Sequence, residues 1–233
     1  MSVFFANFLQ NIPPERIILK NSSYQNQILF PNCLSQSEEV QNLNYYNNKS
    51  YIPLLKLGKQ SDSFITSFNS LVARVTKMPA PYKSALSYLV SEFTDNAMEH
   101  STTQNPIVGF QYYKASKVID ICIGDNGIGI LNSFLNYSGD KDYRHVVDDL
   151  TAIEEVFKGG STKNSPLRGF GIRTSRKLLV NGINGKFFLI SGNALVYNYE
   201  QITLESTFPG VHAVFRIPID NYNNELNIHS YIS

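Results

Sequence analysis

SEFTDNAMEHS (residues 91–101), IDICIGDNGIGI (119–130) and GGSTKNSPLRGFGIRTSRKLLV (159–180) are the stretches on which the reading of this chain turns. The first sets an acid and an amide, Glu92 and Asn96, four residues apart, so helical pitch brings them to one flank. The second is a strand pattern closed by Asp-Asn-Gly. The third is a polar, Gly-rich loop that feeds a helix. Singly, each has an ordinary explanation: an exposed helix face, a hairpin turn, a surface loop. Their occurrence together and in this order shifts the weight toward a ligand pocket.

Working outward, the periodicity predicts a helix from about Tyr82 to His100, with Leu86, Leu89, Val90, Phe93 and Ala97 on one apolar stripe. Glu92 and Asn96 fall on the border of that stripe, where a polar pair can face a ligand while the helix stays anchored. An earlier helix begins at Ser61, with Phe64, Phe68, Leu71 and Val75 at helical spacing, and Pro79 and Pro81 punctuate the junction. Strands are expected at 106–114 and 117–125. In the second, Ile119, Ile121 and Ile123 alternate with Val118, Asp120 and Cys122, the mark of one buried face.

A short apolar turn and a helix, YRHVVDDLTAIEEVF (143–157), should follow, then the loop 158–169 and a helix GIRTSRKLLVN (171–181). Strands are expected near 186–191, 193–199 and 211–218. Helices and strands do not alternate strictly, so the class is α+β. Residues 1–58 are rich in Asn, Ser, Tyr and Pro and read as an N-terminal extension for docking or dimerisation. Within it, YIPLLKL has the look of an edge strand carrying Pro. Residues 59–221 form the main domain and 222–233 a surface tail.

Composition narrows the function classes. The 233 residues carry a formal net charge of +1 with no dense Lys/Arg block, so no nucleic-acid partner is expected. Cys33 and Cys122, far apart, suggest neither a disulfide framework nor a zinc site. No apolar run approaches the ~18–20 residues that span a bilayer, and the start lacks the basic region of a secretory signal. No membrane association and a cytoplasmic location are therefore expected.

The side chains give the pocket its chemistry. The Asn96 amide oxygen suits a hard cation such as Mg²⁺, with phosphates and water completing the shell. Glu92 can orient or deprotonate a water or hydroxyl. Asp125, closing a buried strand, can accept a hydrogen bond from an exocyclic amine such as that of adenine. Gly127 and Gly129 let the backbone turn and lie close to a flat ring. In RGFGI the backbone N–H groups of Gly169, Phe170 and Gly171 open a helix and can meet a phosphate, over which Lys163 or Arg168 can close. Neither a GxxxxGK[ST] loop nor a strand-linked GxGxxG is present, so nucleotide binding would use another route.

From about Lys77 to Ile219 these residues resemble the superfamily of gyrase, heat-shock chaperones, histidine kinases and MutL, whose nucleotide domain is the Bergerat fold. The segment with Glu92 and Asn96 looks like the family's N box, DNGIG like its G1 box with Asp125 in the place of the adenine-binding Asp, and GGSTKNSPLRGFGI like the ATP lid with its G2 box. The resemblance implies a two-layer sandwich, a mixed β-sheet on helices, with ATP and Mg²⁺ between helices and lid. One departure is visible: where the family often has Gly-Thr entering a late strand, this chain has Gly210-Val211.

The four histidines stand at 100, 145, 212 and 229, none before the N box, so a kinase that phosphorylates its own His is not expected. Fifteen residues follow Pro218 in this sequence, so the transducer domain of gyrase-like or MutL-like ATPases is not expected there. His145 with Asp148 and Asp149 has metal-like spacing but reads better as a solvated helix face; His100 could border the site.

Two functions fit. One is a signalling protein resembling the anti-sigma-factor kinases, with Glu92 assisting phosphate transfer to an unidentified phosphoacceptor partner. The other is an ATP-hydrolysing switch that controls association with another protein or a second copy of itself. A binding-only domain is disfavoured because Glu92, Asn96 and Asp125 are all present.

Overall fold

The computed structural model describes residues 43–57, 61–100, 106–162, 171–220, 222 and 225–232. In chain order the elements are β1 (Tyr51–Lys56), α1 (Ser61–Val75), α2 (Ala80–His100), β2 (Ile107–Tyr113), β3 (Val118–Gly124), α3 (Gly129–Leu135), α4 (Asp149–Lys158), α5 (Gly171–Lys177), β4 (Lys186–Tyr197), β5 (Glu200–Pro218) and α6 (His229–Ile232). A 3-10 turn, Leu43–Tyr46, precedes β1, and a π-turn, Leu178–Gly182, extends α5. This is an α+β protein with a five-stranded sheet in the order β1-β2-β3-β5-β4.

Every neighbouring pair in the sheet is antiparallel. The expected mixed sheet is therefore corrected. β3 and β4 do run in the same direction, as a crossover through helices requires. β5 then hairpins back from β4 and lies between them, replacing one parallel pairing with two antiparallel ladders.

The alternation in β3 sets which side of the sheet is inside. Ile119, Ile121 and Ile123 are buried, and the register places them beside Ile217, Phe215 and Ala213 of β5. Onto this face α2 lays its stripe. Phe93 packs edge-on against Phe215 at 4.9 Å and Phe187 at 6.0 Å between ring centroids. Burying one such ring stabilises by ~1.5–3 kcal/mol, which anchors the helix that carries Glu92 and Asn96.

β1 is an edge strand, as Pro53 requires, and its register slips between Ile52 and Leu55. It falls inside the expected 1–58 extension, yet Ile52 and Leu55, with Leu43 and Tyr46 before them, belong to the central core. The folded domain thus includes residues before 58, while residues 1–42 lie outside the described part. The expected tail also packs: Leu226 is in the core, and the Tyr222 ring meets Tyr82 at 4.6 Å.

Four element boundaries differ from the sequence reading, the largest being β5, which starts at Glu200 and not near residue 211. The turn after Gly127 is a helix, α3. The helix expected over 143–157 begins only at Asp149, because Asp148 is extended and its carboxylate caps the Thr151 N–H at 2.7 Å, a capping box. Strands expected at 186–191 and 193–199 are one strand, irregular around Gly192, whose φ of +59° suits glycine. A Cβ on Gly192 would lie 2.0 Å from the Asp149 carboxylate, which accepts the Asn193 N–H at 2.9 Å. Among the described residues no helix is long and apolar enough to cross a membrane.

Candidate functional site

A cavity of about 460 Å³ opens between the helices and the end of β3, within the size range of small-ligand sites. Glu92 and Asn96 of α2, Asp125 after β3, Gly129 of α3, Ser161 and Thr162 of the following loop, and Gly171 of α5 all line it. Three stretches distant in the chain therefore meet at one place. Ile123, Ile130, Phe134, Val156 and Ile172 supply an apolar wall on which a flat ring can lie.

Asp125 is the most constrained group. It is only 2% exposed, and burial pushes its carboxyl up to about 6, against the opposing pull of backbone N–H bonds from Gly127 and Val211. The Gly127 N–H donates to Oδ1 at 2.8 Å, and the Asp125 N–H donates to the Val211 carbonyl at 3.0 Å. A buried carboxylate at a cavity wall is an acceptor that an incoming amine can satisfy.

Two glycines make this packing possible. A Cβ on Gly127 would stand 2.1 Å from the His100 carbonyl oxygen, so the turn after Asp125 lies directly against the end of α2. Gly210 has φ +72°, and a Cβ there would stand 2.1 Å from the Asp125 carbonyl oxygen. Gly210 thus clamps the Asp125 segment from the other side. Val211, where the resembling family often has a hydroxyl, lines the cavity and holds Asp125 through its main chain instead.

Glu92 and Gly171 are in close approach: a Cβ on Gly171 would meet the Glu92 carboxylate at 2.0 Å. The start of α5 therefore sits beside the acid on α2. One turn earlier, Tyr88 shares a 2.5 Å hydroxyl–hydroxyl bond with Thr174, fastening α2 to α5 at the cavity. Burial, with the charge of Glu92 adding to it, raises the Tyr88 phenol above its ordinary value.

Of the residues singled out in the sequence, Glu92, Asn96, Asp125, Gly129 and Gly171 line the cavity, and Gly127 braces it. Lys163, Arg168, Gly169 and Phe170 lie outside the described residues, although Thr162 and Gly171 on either side of that segment are at the cavity. His100 and Asp95 also line it. Tyr88 was missed, and Gly210 entered the sequence reading only through the Gly210-Val211 pair, with no role of its own. Tyr88 was findable, since it precedes Glu92 by one helical turn. Gly210 carries no local signal, because its need arises only from Asp125 across the sheet.

The arrangement tests the fit of a magnesium nucleotide. Among the described residues no three His, Cys, Asp or Glu converge as a metal cage. A cation here would thus rest on the Asn96 amide oxygen together with ligand phosphates and water, which is compatible with Mg²⁺, an ion that takes few protein ligands. His145 pairs with Glu155 at 2.9 Å instead of joining Asp148 and Asp149 around a metal. No family model matches the chain, and no curated protein or solved structure resembles it closely enough to count as a match, so the site stands on its own geometry.

Proposed function

We propose that this chain binds ATP with Mg²⁺ in the cavity, as a histidine-kinase-like ATPase domain of the Bergerat type, and transfers the γ-phosphoryl group to a partner protein. The observation that carries the reading is the convergence of Glu92, Asn96, Asp125 and Gly171, from three separated segments, on one cavity with a buried carboxylate in its wall. Asp125 accepts the adenine amine, and Gly127 and Gly129 keep the backbone close to the ring. Asn96 would offer its amide oxygen to Mg²⁺, which would supply positive charge to offset that of the phosphates. Gly169 to Gly171, with Lys163 and Arg168, take the phosphates in the roles assigned from the sequence.

Glu92 acts on the acceptor. A partner's hydroxyl gives its proton to the Glu92 carboxylate as its oxygen bonds the γ-phosphorus. The bond from that phosphorus to the β–γ bridging oxygen breaks, and ADP leaves. The apolar wall keeps bulk water from competing for the same phosphorus.

Calorimetry with Mg·ATP on the pure chain tests binding, and γ-labelled ATP tests the reaction. Label on a co-purifying protein supports phosphotransfer. Release as free phosphate alone replaces transfer with the hydrolytic switch. Absence of binding heat removes the proposal.

A further inference from the structure

A second cavity, of about 520 Å³, is lined by Asn47, Asn48, Lys49, Arg74, Val75 and Lys114. Three elements meet there. The Tyr112 N–H donates to the Ser50 carbonyl at 2.6 Å, which draws the loop 47–50 alongside the end of β2, where Lys114 follows. The 3-10 turn before that loop packs on α1, whose last turn carries Arg74. The site is remote from Asp125. β2 begins at Ile107, paired with Gly124, and ends at Tyr113, paired with Val118. Six strand steps of ~3.4 Å therefore set the two cavities roughly 20 Å apart, at opposite ends of the sheet.

The charge at this end is one-sided. Residues 43–57, 63–91 and 106–119, which supply the three elements, hold Lys49, Lys56, Arg74, Lys77, Lys83, Lys114 and Lys117 and no Asp or Glu. The whole chain is nearly balanced at +1, so its acids are concentrated elsewhere. Of those nearby, Asp120 is held bidentate by Arg216 at 2.7 Å. Asp220 stands next to Ile219, whose N–H donates to the Lys117 carbonyl at 3.0 Å. Neither lines the cavity, and no carboxylate is among its described lining residues.

Among the described residues Arg74 and Lys114 are exposed and have no ion pair, whereas Lys49 has an interaction of its own. A concave site lined by one sign of charge concentrates ions of the other sign. The Arg74 guanidinium offers a planar fork of donors, the Lys114 ammonium a mobile point charge, and the Asn47 and Asn48 amides neutral hydrogen bonds. The first cavity has the opposite character: Glu92, Asp95 and Asp125 line it, so a polyphosphate there needs a cation beside it. A polyphosphate in the second cavity needs none.

We propose that the cavity between the loop 47–50, the end of α1 and Lys114 binds a compact polyanion, a small molecule with two or more phosphate groups, without a metal ion. Arg74 and Lys114 take the charged oxygens, and Asn47 and Asn48 add hydrogen bonds. The concave shape favours a small ligand over the extended backbone of a nucleic acid. The site does not depend on the nucleotide reading of the first cavity.

Calorimetry of the full chain with sodium tripolyphosphate, at low salt and with EDTA present, should show one saturable site that weakens as salt is raised. Arg74→Gln with Lys114→Gln should weaken it at least about tenfold with an unchanged circular-dichroism melt, because both side chains are exposed. Lys177→Gln with Lys186→Gln, the same loss of charge elsewhere on the surface, should leave it unchanged. No heat, heat only after Mg²⁺ is added, equal weakening in the Lys177 and Lys186 control, or undiminished affinity in the folded Arg74 and Lys114 variant overturns the proposal. Tighter binding of citrate would overturn the phosphate assignment, and tighter binding of a short DNA duplex, lost in the same variant, would make this a nucleic-acid surface instead. If the variant does not fold, acetylation of the parent decides: saturating tripolyphosphate should slow modification of Lys49 and Lys114 at least about threefold relative to Lys177 and Lys186, and uniform rates defeat the proposal. Because the probe carries neither adenine nor metal, the result is independent of whether the first cavity takes Mg·ATP.

Discussion

Asp125→Asn should make the protein more stable and a poorer nucleotide binder at the same time. In the folded chain burial raises the carboxyl to about 6 from its ordinary 3.8. A raised acid contributes stability that is fully present below the unfolded value and is lost as pH climbs through the folded one. In the window from about pH 4 to 6 the native state holds the extra proton, so stability falls with rising pH. At ~1.4 kcal/mol per pH unit, the charged carboxylate costs on the order of 3 kcal/mol by neutral pH.

Asn is nearly the same size and keeps an oxygen for the Gly127 N–H, but has no charge to desolvate. Urea melts of the free protein at pH 4, 5, 6, 7 and 8 should show the Asn variant gaining up to about 3 kcal/mol over the parent at pH 7 and 8, with little difference at pH 4. Calorimetry at pH 7.5 should show the opposite sign for Mg·ATP. Replacing a charge-assisted bond by a neutral one, worth roughly 1.5–3 kcal/mol, weakens Kd about ten- to hundredfold. In the parent, affinity should also fall as pH drops below about 6, as the acceptor takes up a proton. A variant less stable than the parent at pH 8, or a parent–variant difference that does not change between pH 4 and 7, would refute the argument that desolvation governs this group. Undiminished affinity would remove Asp125 from the adenine site.

The other expectations are narrower. Glu92→Ala should keep Mg·ATP affinity and lower turnover by roughly 10²–10⁴-fold in the γ-label assay; unchanged turnover rules Glu92 out as the base. Asn96→Ala should abolish the magnesium dependence of ATP affinity, and a persistent EDTA effect in that variant would point to another ligand. Gly171→Ala puts a methyl where the mobile end of Glu92 now lies, so turnover should fall more than stability in paired activity and melting measurements. Gly210→Ala meets main chain at 2.1 Å and a φ of +72°, neither of which can yield cheaply, so urea melts should register a loss of about 2 kcal/mol or more; a loss under ~0.5 would mean the Asp125 turn moves freely.

What the chain reveals by itself is its local periodicity. The stripe through Leu86, Phe93 and Ala97 and the alternation of Ile119, Ile121 and Ile123 state which side of each element is buried, because pitch and pleat tie spacing to direction. The border position of Glu92 and Asn96 follows from the same arithmetic, and Pro53 marks an edge because it cannot donate to a ladder. The start of α4 was also written locally, in Asp148 and Thr151, although the apolar pattern ahead of it suggested an earlier start.

Strand order was not legible in this way. Nothing near β5 says that it lies between β3 and β4, since ladder partners are chosen by contacts across the chain and each strand's pattern is satisfied by several neighbours. The burial that raises Asp125, the bond from Tyr88 to Thr174 and the need for Gly210 at the Asp125 carbonyl likewise exist only once the segments have met. Sequence supplied the chemical groups and their faces; tertiary packing decided their distances and their solvent, on which both the acidity of a carboxyl and the space for a ligand depend.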